Sequence, residues 1–194
     1  MFKRAFVLAL AFLFVGGAAQ AAKWEIDQPH SSVGFKVSHL VISSTTGKFE
    51  TFSGDIQFDS ENLEAGSVSM TVDIASINTG NEKRDGHLRS GDFFDVENHP
   101  KMTFVSRKVV KGEGNEFQIV GDLTIRGVTK EVTFDCEFKG TVDFMGTTKA
   151  GFSAETTIDR QDFGVQWNKA LETGGVLVGD EVDISIELEL NKVG

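Results

Sequence analysis

A single cysteine, Cys136, rules out any disulfide within this chain, even in an oxidising compartment. Its phase with Phe134 and Phe138 on an alternating run makes it a small buried hydrophobe. Tyrosine is missing altogether beside 17 phenylalanines, so the aromatic surface carries no phenolic hydroxyl that would need a partner when buried. Cations are in short supply too: 19 Lys and Arg face 29 Asp and Glu, for a net charge of -10. Phosphate backbones and anionic lipid surfaces bind clustered Lys and Arg, and scattered ones exclude nucleic acid as a partner. The acidic balance reads as solubility.

Motifs of reaction chemistry are also lacking. There is no Gly-x-Ser-x-Gly elbow, no His-Glu-x-x-His, no phosphate-cradling glycine loop followed by Lys-Ser/Thr, and no cysteine pair. His30, His39, His87 and His99 are dispersed, and none lies two or four residues from another. No catalytic residue, metal site or cofactor is expected.

Apolar runs are short, with one exception at the start. Lys3 and Arg4 precede an apolar run from Ala5 to Val15, then Gly-Gly and the small-residue tripeptide Ala19-Gln20-Ala21. This is the pattern of a secretory signal peptide over residues 1–21, cleaved after Ala21. The run is too short for a bilayer span of about 20 residues, and no cysteine stands at the cleavage site to carry a lipid anchor. A periplasmic or secreted chain of residues 22–194, one domain by length, is therefore expected.

Within that domain, apolar residues recur at every second position. Phe117, Ile119, Gly121, Leu123 and Ile125 alternate with mostly polar neighbours up to a break at Arg126-Gly127-Val128. Val132, Phe134, Cys136 and Phe138 then resume the rhythm, which is an antiparallel hairpin with one apolar face. The same period marks Trp24 and Ile26, then Val33, Phe35 and Val37, then Phe52, Ile56 and Phe58, then Val68, Met70, Val72 and Ile74. It returns in Met102 and Phe104, in Val142 and Phe144, in Phe152, Ala154, Thr156 and Ile158, and in the closing run from Val182 to Leu190. Many short strands separated by Gly and Asn/Asp predict an all-β sandwich or closed barrel.

Strand phase selects the inward-facing set. Val33, Phe35, Val37, Phe52, Ile56 and Phe58 come from the first strands, and Val68, Met70, Val72, Met102 and Phe104 from the next. Ile119, Leu123, Phe134, Phe138, Phe152, Ile184 and Ile186 complete the expected lining. A bulge near Gly47 or Gly54 would flip the phase of the strand that holds Phe49 and Phe52.

Two stretches break the rhythm. Thr79 to Phe94 is polar; on a short helix there Asp85 and Arg89 can meet one turn apart, Leu88 packs inward, and Phe93 and Phe94 re-enter the core. It is either an ion-paired crossover corner or, with His39, a cluster in which Arg84, His87 and Arg89 receive the polar head of an apolar ligand. Asp162 to Asp180 is the second, with Phe163, Trp167 and Leu171 following no strand period and glycines at 164, 174, 175 and 179. A short helix over Val165 to Glu172 is expected; the segment is a lid over one end or a fixed plug.

Several runs are recognisable: Ser32-Val33-x-Phe35-x-Val37-x-His39-Leu40, Gly47-x-Phe49-x-x-Phe52-x-Gly54, Arg84-Asp85-x-His87-Leu88-Arg89-Ser90-x-Asp92-Phe93-Phe94, Gly121 to Lys130, and Ala150-Gly151-Phe152. With them the chain resembles the YceI-like family from about Trp24 to Lys192. The resemblance implies a lipocalin-like, eight-stranded antiparallel barrel that encloses a polyisoprenoid, usually in the bacterial periplasm, without established catalysis. It also implies dimers in several members.

An isoprenoid such as a quinone or polyprenyl carrier is thus the expected ligand, bound for sequestration or transport. Two rivals stand beside it. One is an enzyme using Arg84, Asp85, His87 and Arg89 on an isoprenoid pyrophosphate. The other is a ligand-free stress-related structural protein with a solid interior.

Overall fold

The structure, a computed structural model, describes residues 22–172 and 174–193. The signal-peptide reading of residues 1–21 lies outside the described residues. Among the described residues no helix is long and apolar enough to cross a membrane.

The strands are β1 (Ala22–Ile26), β2 (Ser32–His39), β3 (Ser43–Phe49), β4 (Phe52–Asp59), β5 (Asn62–Asp73) and β6 (Ile77–Asn78). After α1 (Glu82–Arg89) come β7 (Lys101–Lys111), β8 (Glu116–Ile125), β9 (Val128–Phe144), β10 (Thr147–Asp159) and β11 (Val178–Lys192). Three pairs are halves of single bent strands: β1 with β2, β3 with β4, and β5 with β6. Eleven segments therefore make eight staves, each antiparallel to its neighbours in sequence, and β11 returns to pair with both β1 and β2. The result is a closed eight-stranded antiparallel barrel with no free edge along its wall.

Local chemistry accounts for the bends. Phe49 and Phe52 are three apart, so an unbroken strand would send them to opposite faces. The break at Glu50-Thr51 absorbs the parity change, and both rings are buried. Elsewhere small residues make room for rings. Gly47 lies opposite Phe35 and Gly121 beside Phe104, and a Cβ at either position would collide with the aromatic ring lying over it. The β8–β9 turn is Arg126-Gly127, with φ of 50° and 74°, the two-residue turn whose twist matches a hairpin.

Register fixes the two ends. The β2–β3 turn, α1, the Arg126-Gly127 turn and residues 160–172 and 174–177 gather at one, here called the mouth. The base holds the start of β1, the end of β11 and the β4–β5, β7–β8 and β9–β10 turns. β9 and β10 outrun the wall there, leaving Val142, Phe144 and Met145 exposed.

The expected helix over Val165 to Glu172 is corrected. Those residues are irregular, with one isolated bridge between Ala170 and Val176. The helical turn falls earlier, at Arg160–Phe163, where the Asp159 carboxylate accepts the Gln161 N–H at 2.8 Å and Gly164 closes the turn with φ of 75°. Carbonyls of residues 165 and 167 are held by a side chain instead of by a helical ladder, as described next.

Candidate functional site

A cavity of about 210 Å³ lies inside the mouth half of the barrel, with an almost wholly apolar wall. Of the residues expected from phase, Val33, Phe35, Val37, Val68, Met70 and Val72 line it. So do Met102, Phe104, Ile119, Leu123, Phe134, Ile184 and Ile186.

Phe52, Ile56, Phe58, Phe138 and Phe152 do not, and here the expectation is corrected. They face inward but pack among themselves or against other core side chains. Trp24 stacks on Phe58 at 4.4 Å, and Phe152 meets Phe58 at 4.9 Å, Phe138 at 5.0 Å and Phe117 at 6.1 Å. Strand phase tells inside from outside but not height along the axis. These rings make a solid aromatic floor.

Strand phase does not select the mouth-end wall, although Leu88, Phe93 and Phe94 are expected to turn inward and Phe163 to lie over one end. Phe49, Leu88, Phe93, Phe94, Phe163 and Val165 close the cavity from above, and Cys136 and Ile158 line its side. Cys136 is buried, and burial pushes its thiol up to about 12. A thiol reagent is therefore expected to leave the native protein unmodified at pH 8 and to titrate one thiol per chain in guanidinium; native modification within minutes would contradict this burial.

None of the side chains expected to receive a polar head lines the cavity. Arg84 donates from Nε to Thr79 Oγ1 at 2.7 Å and from Nη2 to the Thr79 carbonyl at 2.8 Å. His87 is bound to Asp92 at 2.9 Å and stands edge-on to Phe93 and Trp167. Asp85 does not meet Arg89; buried under α1, its carboxylate accepts the Thr79 N–H at 3.0 Å and hydroxyl at 2.5 Å. Arg89 Nε is buried without a hydrogen-bond partner, and His39 ends β2 opposite Val178 and Ser43. Helix α1 contributes Leu88 to the wall and turns its charged groups elsewhere. Its N-cap, Asn81, accepts the Arg84 N–H at 3.1 Å, which fixes where the helix starts.

The charged side chain that does reach the cavity is Arg160, 6% exposed. It continues the inward phase of Phe152, Ala154, Thr156 and Ile158, a signal present in the sequence. A guanidinium has five N–H donors. Nε donates to Gly179 O at 2.8 Å, Nη1 to Val165 O at 2.6 Å and Trp167 O at 3.0 Å, and Nη2 to Val178 O at 3.5 Å and Asp180 Oδ1 at 3.1 Å. Every donor is engaged, so Arg160 pins the mouth segment and has none left for a ligand. Arg126 does likewise for the neighbouring loop, donating to Phe93 O at 2.6 Å, Gly164 O at 3.2 Å and Gly91 O at 3.0 Å.

Of the three expected lid residues, Phe163 is fully buried in the cavity wall. Trp167 packs on Phe93 at 5.1 Å, and Leu171 lies outside the wall. Near the base, Asp27, His30 and Glu189 converge in a way that could hold a cation. Lys149 Nζ already fills that role, 2.8 Å from Asp27 and 2.6 Å from Glu189, and its hydrogen bond holds the Asp27 carboxyl below the usual carboxylate range.

The chain is similar to known proteins along almost the whole described length. The model of the YceI-like domain matches residues 24–190. A UPF0312 protein of Staphylococcus epidermidis is 42% identical over 171 residues, covering 87% of this chain and 97% of the relative. The crystal structure of a Campylobacter jejuni YCEI protein, at 36% identity, superposes with a TM-score of 0.70 over 87% of this chain and 97% of that one. BcnA of Burkholderia cenocepacia, at 29% identity, gives 0.73 over 84% and 98%. A polyisoprenoid binding domain from Saccharophagus degradans shares the fold at 16% identity, with a TM-score of 0.65 over 89% and 99%. By sequence and by barrel alike, the chain belongs to the YceI-like family.

Proposed function

We propose that this protein binds the hydrocarbon tail of an isoprenoid lipid, of quinone or polyprenyl type, and sequesters or carries it outside the cytoplasm without chemical conversion. The observation that carries the reading is the cavity: an apolar chamber inside a closed barrel, bounded by aromatic rings at the base and by a pinned segment at the mouth. The polyisoprenoid-binding neighbour supports the ligand class. The leader pattern at Lys3, Arg4 and Ala19-Gln20-Ala21 supports the periplasmic or secreted location.

Size decides how such a ligand must sit. An apolar cavity of roughly 150 Å³ takes one benzene, so one of 210 Å³ seats about eight or nine carbons, between one and two isoprene units. At about 0.8 kcal/mol per buried CH₂ that yields ~7 kcal/mol gross, and association costs of at least ~4 kcal/mol leave only millimolar binding. About fifteen buried carbons, ~12 kcal/mol gross, are needed for micromolar retention. Tight binding therefore requires the chamber to widen, and the mouth, closed by loops, yields before a floor of stacked rings. With no free donor inside, the polar head stays at the mouth.

Titration of delipidated protein with isoprenoid alcohols of rising length, read by Trp167 fluorescence, tests this. Affinity is expected to rise with each isoprene unit up to three or four and then to level off. Equal, millimolar binding at every length would defeat the reading.

A further inference from the structure

The β2–β3 turn places Leu40, Val41 and Ile42 in succession at the mouth, with Val41 68% and Ile42 87% exposed. We propose that this turn is a membrane-docking tip, which enters the interfacial layer of a lipid bilayer and sets the mouth against it; the inference rests on the isoprenoid-binding reading.

Four observations converge on it. Exposed aliphatic residues are ordinary one at a time, but two in a row at a hairpin apex, with Val176 exposed nearby, form a patch that water does not favour. The backbone is held under strain to present them: Leu40 and Val41 have φ of 55° and 65°, a turn conformation suited to Asn and Gly and costly for a β-branched residue. Strain kept at an exposed apolar tip points to a use for the tip.

Placement is the third observation. The Leu40 N–H donates to Leu177 O at 2.9 Å, and Val41 reaches Gly175 of the mouth segment. Val37 and Val178, on the strands that lead from this corner, already line the cavity. A docked tip would thus set the bilayer against the segment that must move to admit a tail. Charge is the fourth. In a chain of net charge -10, no carboxylate occurs from Val37 to Gly47, and Ser43, Ser44, Thr45 and Thr46 follow the apolar tip with hydroxyls suited to the headgroup layer. The exposed Val142, Phe144 and Met145 at the base offer no such route, because the aromatic floor lies between them and the cavity.

The test uses neutral phosphatidylcholine vesicles and an environment-sensitive fluorophore on Ile42→Cys, with Cys136 buried and unlabelled. A blue shift and brightening on vesicle addition are expected. In unlabelled protein, Val41→Asn with Ile42→Ser should lower vesicle partitioning at least tenfold. That variant should fold at least as well as the parent, since Asn suits the left-handed backbone at 41. Its binding of a soluble short isoprenoid alcohol without vesicles should be unchanged, and this reads the cavity independently of docking. Phe144→Ser with Met145→Ser should leave vesicle binding intact.

A probe at 42 that stays in water, partitioning unaffected by the tip substitutions, or partitioning lost instead on changing Phe144 and Met145 would each overturn the docking inference while alcohol binding stands. A fluorescence change that tracks protein concentration without vesicles would also overturn it, making the tip a contact between copies.

Discussion

Aspartate in place of Phe134 is expected to abolish lipid retention and to destabilise the barrel severely. The Phe134 ring is buried, lines the cavity and meets Phe104 edge-on at 5.1 Å. The cation in the wall, Arg160, has its donors engaged by the mouth segment, so a carboxylate there goes unpaired, and an unpaired buried charge costs several kcal/mol, a large share of a typical domain's ~5 to 15 kcal/mol. At roughly 2 to 4 °C per kcal/mol for a domain of this size, the melting temperature should fall by about 10 to 20 °C.

The sign of the pH dependence separates this cause from mere loss of packing. Burial raises the folded-state pKa of the new carboxyl above its unfolded value of about 3.9, so the penalty is full above the folded pKa. It shrinks as pH falls through that value and vanishes below the unfolded one. Phe134→Leu, which lacks the charge, should cost about 1 to 2 kcal/mol at any pH and keep the cavity apolar. Urea denaturation of both variants at pH 7 and pH 5 checks the argument; equal losses at both pH values for the Asp variant would refute it.

Arg160→Met is expected to loosen the mouth while leaving the barrel folded. The substitution keeps an apolar stem but removes all five donors, orphaning the carbonyls of Val165, Trp167 and Gly179. At about 1 to 3 kcal/mol for each buried group that water cannot reach, and less where it can, a loss of about 2 to 4 kcal/mol follows. Asp180, at the exposed end of the pair, returns to solvent at little cost. Hydrogen exchange should show protection lost across residues 164–179 with β8 and β9 unchanged, and a bound isoprenoid should dissociate at least tenfold faster. Protection unaltered in that segment would mean the arginine does not hold the mouth.

The barrel wall was legible because its physics is local. Period two along Phe117 to Phe138 gives both strands of the hairpin, and Arg126-Gly127 gives its turn, since side-chain direction and turn geometry are set by near neighbours. Thirteen of the eighteen residues chosen by phase surround the cavity, and of the five that do not, Phe58, Phe138 and Phe152 make the floor. Height along the axis depends on shear between distant strands, which alternation does not encode.

The mouth was less legible for a related reason. Arg84, Asp85, His87 and Arg89 look like a site in sequence because polar residues crowd there. In space Thr79 and Asp92 engage the first three, and the helix faces the chamber with Leu88. Only its phase with Ile158 marks Arg160 in the sequence, yet five acceptors spread over residues 165–180 converge on it. The strain at Leu40 and Val41 is invisible to composition, because nothing in three aliphatic residues announces a left-handed turn.

The central claim is that the chamber takes up an isoprenoid tail. Protein secreted or exported from cells, purified without detergent and extracted into organic solvent, should release a prenyl lipid at close to one per chain by mass spectrometry, and Phe134→Asp material should release none. An extract free of prenyl lipid from folded wild-type protein, with no uptake when isoprenoids are supplied, would contradict it.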